Sequence, residues 1–157
     1  MKNIQRAVHD FGVSHGIPDL LLDEMGSCTL MLEDGHTLHL QYTKQHTLML
    51  LSSLGSVPAD AEAPVYSALL YANLFWAETM GATLALEPQT MEVVLQFEEK
   101  DNNIDSLRLE QLIINFADAT EVWKERLAQL NTAATEKNVT TDIPFKPMPN
   151  VPTWAKA

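Results

Sequence analysis

The chain has 157 residues and carries 10 Lys and Arg against 21 Asp and Glu, which gives a net charge of −11. This length fits one domain with a single hydrophobic core. Because phosphate groups and an acidic protein repel each other, the charge argues against nucleic acid and anionic lipid as partners. No stretch approaches the roughly 18 consecutive apolar residues of a membrane-spanning helix. We expect a cytoplasmic protein that binds no nucleic acid and does not insert into a membrane.

The first part of the chain predicts one short helix and three antiparallel strands. Asn3 can cap the helix, whose apolar residues recur at helical spacing up to the region of Gly12 to Gly16. Apolar and polar residues then alternate, and Asp34-Gly35 is a strong signal for a two-residue hairpin turn. The expected strands cover residues 28–33, 37–42 and 46–52 and form an antiparallel meander.

The most apolar stretch begins at Pro64, which suits the first turn of a helix, and ends before Gly81, which suits the residue after a helix. We therefore predict one central helix over residues 64–80. At about 100° per residue its apolar side chains extend almost all the way round the axis, and only Ser67 and Glu78 share a polar sector. Such a helix needs cover on two sides. Its own sheet is one cover, and a second subunit would be the other.

A second hairpin and a long helix complete the predicted domain. Residues 83–87 and 91–98 form the hairpin, and Asp105 can cap the last helix. The apolar residues of this helix form one narrow stripe, which is typical of a helix that packs on a sheet. The stripe consists of Leu109, Leu112, Phe116, Ala119, Trp123, Leu127 and Leu130. From residue 132 onward the periodicity ends and four of the eight prolines occur, so an extended or disordered tail is expected.

Sequence motifs of catalysis and cofactor binding are absent. The chain has no glycine-rich phosphate loop, no Gly-x-Ser-x-Gly motif and no cysteine pair for zinc. His36 and His39 lie three apart on one predicted strand and point to opposite faces, which disfavours a shared metal. We expect no enzymatic activity, no cofactor and no metal.

The single cysteine, Cys28, excludes an internal disulfide. Its place in an apolar alternation predicts a buried thiol in a reducing compartment. A nucleophilic Cys28 with a histidine partner is the alternative, and the same alternation favours an inert core thiol over it.

Apolar side chains also occupy strand positions that should face water. Met31, Met49, Leu51 and Val94 alternate with the predicted core residues, so the second face of the sheet is partly apolar. Two explanations are open. Either the first or the last helix covers this face, or the face is an exposed patch for another chain, which suits methionine because its flexible side chain adapts to irregular partners.

The segment ALLYANLFWAETMGATLALEPQTMEVVLQF resembles the central segment of the class I type III secretion chaperones, the Tir-chaperone-like family of small acidic bacterial proteins. The resemblance rests on Ala72, Asn73, Leu74, Phe75, Trp76, Gly81 and the hairpin that follows. It extends to the element order α-β-β-β-α-β-β-α and covers about residues 1–134, which leaves residues 135–157 as a proline-rich tail. It implies an α+β fold with a twisted antiparallel sheet of about five strands and three helices.

The resemblance further implies a homodimer joined through the central helix, for which we select Leu69, Ala72, Asn73 and Trp76 as interface residues. It implies binding of the N-terminal chaperone-binding segment of a type III secreted effector, which is kept extended and soluble for secretion. The residues expected to contact the effector are Ile4, Val8, Met31, Met49 and Leu51. The secretion ATPase is a further expected partner.

Two other functions are weighed against this one. The first is a regulatory protein of the same fold that binds another secretion regulator. The second, less favoured, is a small α+β enzyme, which would need a convergent polar cluster that the sequence does not indicate.

Overall fold

The computed structural model describes residues 2–32 and 35–137, and within them the chain forms three α-helices and one five-stranded antiparallel sheet. The elements are α1 (Lys2–Ser14), β1 (Ser27–Met31), β2 (Thr37–Tyr42), β3 (Thr47–Ser56), α2 (Glu62–Ala72), β4 (Thr83–Leu86), β5 (Glu92–Lys100) and α3 (Ser106–Lys137). The strands lie side by side in the order β1-β2-β3-β5-β4. The predicted α+β class and element order are confirmed.

Alternation along the strands divides their side chains between two faces of the sheet. On β2, Leu38 and Leu40 are buried, whereas His39 between them is exposed. Cross-strand pairing preserves this division, since Leu40 pairs with Cys28 on β1 and with Leu50 on β3. We call the side that carries Leu40 the inner face of the sheet and the opposite side the outer face.

The three helices of the described ranges supply the inner layer of the core. Their buried side chains form one cluster with the inner-face leucines and valines. Members of this cluster include Ile4 and Val8 of α1, Val65 and Leu69 of α2, and Trp123 of α3. None of the helices in the described part of the chain is long and apolar enough to cross a membrane.

Helix α3 carries the predicted stripe and is longer than predicted. Its stripe residues from Leu109 to Leu127 are buried, and the backbone N–H of Arg108 donates to Asp105 Oδ1 at 2.8 Å, which confirms the cap. The helix continues to Lys137, so residues 132–137 are helical although their sequence lacks an apolar period. The boundary expected at residue 134 therefore falls inside α3. The rest of the predicted tail, residues 138–157, lies outside the described residues.

Three smaller expectations differ from the structure or lie outside it. Asn3 lies within α1, which already includes Lys2, so it does not cap this helix. Strand β3 continues past residue 52 because β5 provides pairing partners as far as Ser56. The hairpin signal at Asp34 lies outside the described residues.

The central helix is shorter than predicted. α2 covers Glu62–Ala72, because the next residue, Asn73, is bound to β4. The Asn73 Nδ2 donates to the carbonyl oxygen of Leu84 at 2.9 Å, and its Oδ1 accepts the N–H of Leu84 at 2.8 Å. Beyond Asn73, Phe75 and Trp76 have φ angles of 59° and 53°, a left-handed conformation that a right-handed helix does not contain. The apolar composition of the segment does not indicate that the helix ends at these hydrogen bonds.

Neighbouring residues on β1 provide a matched test of the two faces. Leu30 belongs to the core, whereas the side chain of Met31 is 77% exposed. Leu30→Ala should lower the free energy of unfolding by about 2–4 kcal/mol, because it removes a buried side chain and leaves a cavity. Met31→Ala should change it by less than about 0.5 kcal/mol. Urea denaturation of both variants measures this, and equal losses would contradict the assignment of faces.

Candidate functional site

Possible metal ligands do not converge in the described ranges. No group of three or more His, Cys, Asp or Glu side chains lies within reach of one ion there. His39 is exposed on the outer face, with its Nδ1 2.9 Å from the Thr29 hydroxyl. His36 precedes β2 and is half-buried. The two histidines predicted to point apart thus have separate surroundings.

The Cys28 thiol lies on the inner face and is half-buried. Burial, followed by the negative charge of Asp23, raises the pKa of Cys28 to about 11. The thiolate is the nucleophilic form of cysteine, and a raised pKa makes it scarce at neutral pH. This environment favours the inert thiol over the nucleophile.

One polar cluster was not anticipated from the sequence. The Tyr42 hydroxyl donates to Asp101 Oδ2 at 2.7 Å, and the His46 Nδ1 lies 2.9 Å from the same hydroxyl. The hydrogen bond from Tyr42 is the main reason why the pKa of Asp101 is lowered. The backbone N–H of Asp101 also donates to the carbonyl of His46 at 3.0 Å. The cluster joins the β2–β3 turn to the turn after β5, and the sequence separation of 59 between Tyr42 and Asp101 hides it from local sequence patterns.

Apolar side chains interrupt the otherwise polar outer face of the sheet. Met49 and Leu51 of β3 are half-buried there, and Met31 of β1 is strongly exposed. Leu51 pairs across the strands with His39 on one side and Gln96 on the other. We call Met31, Met49 and Leu51 the outer-face patch.

Two expectations about this face can now be decided. Because α1 and α3 pack on the inner face, the explanation in which one of them covers Met31, Met49 and Leu51 is wrong. Val94 also lies on the outer face, but it is 6% exposed between its cross-strand neighbours Ser53 and Ala85. It is therefore not part of the exposed surface.

The two residues of α1 that were expected to contact an effector face the core. Ile4 and Val8 are both 0% exposed, since they form the apolar stripe by which α1 packs on the sheet. Their expected place at the surface is wrong, and we do not retain them in the binding surface.

A second apolar surface spans the last turn of α2 and the segment after it. Its six side chains are between 42% and 71% exposed. They are Leu70, Tyr71, Leu74, Phe75, Trp76 and Met80, and we call them the 70–80 patch. Six large apolar side chains exposed within eleven residues are unusual in a monomeric protein and mark an interaction surface.

The residues selected earlier for a dimer interface lie only partly in this patch. Leu69 and Ala72 are buried in the core of their own subunit, and Asn73 is bound to β4. Trp76 is exposed and belongs to the patch. The choice of Leu69 and Ala72 is therefore wrong, because it assumed a continuous helix on whose outer side they would lie, whereas Asn73 is half-buried and stays a prediction.

The end of the 70–80 patch has a specific backbone conformation. Phe75, Trp76 and Met80 all have positive φ angles, each of which costs roughly 1 kcal/mol in a residue other than glycine. The carbonyl of Trp76 accepts the N–H groups of Thr79 and Gly81 at 3.3 and 3.2 Å, which closes a tight turn. The Trp76 indole N–H donates to the hydroxyl of Thr83 on β4 at 3.0 Å.

A cavity of about 170 Å³ lies next to Met80, between the turn, β5 and α3. Phe97, Leu112 and Phe116 line it, with Arg108 among the polar lining residues. Arg108 is paired with Glu99 at 2.8 Å. The cavity therefore adds apolar surface beside the patch without an unpaired arginine.

Apolar side chains exposed on one sheet face and a separate exposed apolar segment are features of a protein that binds other polypeptides. The fold is shared with chains of solved structures. A chain of the crystal structure of the ExsC–ExsE complex matches with a TM-score of 0.69 at 21% identity, over 80% of this chain and 94% of that chain. A chain of the HopA1–SchA chaperone–effector complex matches with a TM-score of 0.64 at 18% identity, over 76% and 91%. At these identities the matches show the shared fold.

The sequence model of the Tir chaperone protein (CesT) family matches residues 6–124, and the chain belongs to this family. A Chlamydia pneumoniae protein, CPj0713/CpB0740, is 27% identical over 123 residues, which cover 76% of this chain and 92% of that protein. The resemblance to class I type III secretion chaperones inferred from the sequence is confirmed.

The environment of Cys28 leads to a direct chemical test. Its pKa of about 11, against an ordinary value of 9.0, makes its thiolate about 100-fold scarcer at pH 8. Cys28 should therefore react with a chromogenic disulfide reagent about 100-fold more slowly in the folded protein than in urea. Equal rates in the two states would contradict a protected thiol.

Proposed function

We propose that this protein is a dimeric cytoplasmic chaperone that binds the N-terminal chaperone-binding segment of a type III secreted effector and keeps it extended and soluble for secretion. The observation that carries this proposal is the outer-face patch, since the helices of the described ranges leave it uncovered. Membership of the Tir chaperone family and the likeness in fold to a chaperone–effector complex support it. The function is binding and not catalysis.

Strand β1 adds a backbone feature to the same surface. It lies at the edge of the sheet and pairs with β2. The N–H of Tyr42 donates to the carbonyl of Gly26 at 2.7 Å, so alternation directs the N–H and C=O groups of Thr29 and Met31 away from β2. An extended effector segment can add a strand there and place alternate side chains over the outer-face patch.

The 70–80 patch is the surface we assign to dimerisation. A two-fold dimer uses the same patch on both subunits, so one exposed apolar segment provides both halves of the interface. The patch adjoins β4, through the bond of Trp76 to Thr83, and β4 and β1 are opposite edges of the sheet. Dimer formation and effector binding at β1 therefore do not compete for one surface.

Family membership supports the finer parts of the proposal. We place the protein in the bacterial cytoplasm, where effectors await export, and we include the secretion ATPase as a downstream partner. The alternative, a regulatory protein of the same fold, would use the same surfaces for another polypeptide. Identifying the protein that copurifies from a bacterium with intact secretion genes separates the two.

The dimer is tested by a charge placed in the 70–80 patch. Leu70→Arg should weaken dimerisation by at least about tenfold, because an arginine would lose its hydration at an apolar interface. Leu107→Arg on α3 is the matched control, since Leu70 and Leu107 are 71% and 64% exposed. Sedimentation over a range of concentrations measures both. A monomeric unmodified protein, or equal effects of the two changes, would contradict the assignment.

Effector binding is tested on the outer face. Replacing both Met49 and Leu51 with Asp should weaken binding of the copurified effector's N-terminal peptide by about tenfold or more while the circular dichroism and the dimer are retained. Val122→Asp, at an exposed apolar position of α3, is the control and should leave binding unchanged. If the double variant unfolds, Met49 and Leu51 are structural and the patch is wrongly assigned.

A further inference from the structure

Helix α3 binds the segment of the 70–80 patch through Glu78, which makes both a hydrogen bond and a salt bridge with it. The indole N–H of Trp123 donates to the Glu78 carbonyl oxygen at 3.0 Å. The Arg126 guanidinium forms a salt bridge of 2.5 Å with the Glu78 carboxylate. Backbone and side chain of Glu78 are thus both bound by α3.

The two α3 residues also support each other. The guanidinium carbon of Arg126 lies 4.6 Å from the ring centroid of Trp123, which is the geometry of a cation–π contact. Trp123 is 1% exposed and is held by the core on its other sides. The salt bridge therefore starts from a fixed platform, so less side-chain freedom is lost than in an isolated surface pair.

The segment needs such contacts, because it is not a regular helix. Phe75, Trp76 and Met80 have left-handed backbone conformations that a free peptide avoids. At its start Asn73 attaches the segment to β4 through Leu84. At Glu78, near its end, α3 provides the second attachment. The exposed residues between these two attachments have their positions fixed from both sides.

We propose that Glu78, Trp123 and Arg126 form a clamp that positions the middle of the 70–80 patch, Leu74, Phe75 and Trp76, for contact with a second copy of the chain. This inference rests on the proposed dimer. The three residues act as positioning residues, through the backbone of the segment. The clamp connects the core of each subunit to its interface, so a change on α3 alters association of the two subunits.

Charge reversal tests the clamp. Arg126→Glu and Glu78→Arg should each raise the dissociation constant of the dimer by about tenfold, because each places like charges together and releases the segment. The double variant, which restores opposite charges, should return the constant to within about threefold of the unmodified protein. Arg126→Gln removes the pair without repulsion and should have a smaller effect in the same direction.

Two controls separate positioning from a loss of charge or fold. Arg6→Glu breaks the exposed Arg6–Asp10 pair of α1 and makes the same change in net charge, so it should leave dimerisation unchanged. In the Leu70→Arg background, the clamp variants should keep the circular dichroism of their parent, which shows that the subunit stays folded. Loss of that signal would show that the pair is needed for the fold of the subunit and does not act by positioning the interface.

The outcomes distinguish this inference from the proposed function. A monomeric unmodified protein overturns the dimer itself. A dimer whose dissociation constant is unchanged by Arg126→Glu overturns the clamp and leaves the dimer standing. Failure of the double variant to restore association also overturns the clamp. The two single variants would then weaken the dimer by a route other than the Glu78–Arg126 salt bridge.

Discussion

The two hydrogen bonds between the side chain of Asn73 and the backbone of Leu84 determine the arrangement of the second half of the molecule. The amide imitates a neighbouring strand, because it accepts the N–H and donates to the C=O of one residue. It therefore ends α2, positions β4 and covers part of that sheet edge. After Asn73, Leu74–Trp76 form one short 3-10 turn, in which Phe75 and Trp76 have left-handed φ angles, and the apolar side chains of all three are exposed. An aspartate or leucine here would satisfy at most one of the two backbone groups.

This local bond has a consequence for the whole sheet, because it makes the two edges unlike. On β4 a side chain of the same subunit occupies the outward backbone groups of Leu84. On β1 the outward groups of Thr29 and Met31 remain directed away from the sheet. An uncovered edge is a site for strand addition, whereas a covered edge is not. The asymmetry supports the proposal that a polypeptide segment associates at one end of the sheet and a second copy of the chain at the other.

Much of the fold could be predicted from the sequence, because helices and strands are recognised by the regular spacing of their apolar residues. Alternation by two placed Met31, Met49 and Leu51 on the outer face correctly, since one buried face determines the other. The spacing of apolar residues alone does not reveal whether an apolar stripe faces the core or a partner protein. Ile4 and Val8 were assigned to a partner, whereas they face the core. The polar cluster at Asp101 and the clamp at Glu78 join residues distant in the chain, for which no local pattern exists.

The predicted central helix and the observed one differ in length, and this difference bears on the apolar composition of residues 64–80. A helix that is apolar all round should be covered on two sides, and α2, which stops at Ala72, keeps this property over its shorter length. Val65 and Leu69 supply the side that faces the subunit's own core. The remaining apolar residues extend past the helix into a turn whose conformation is held by β4 and α3. This turn is not a helix that packs on the core, so core packing does not explain its apolar side chains. A contact surface for a second subunit is the simplest explanation. Because the turn is fixed at both ends, it presents this surface in one orientation.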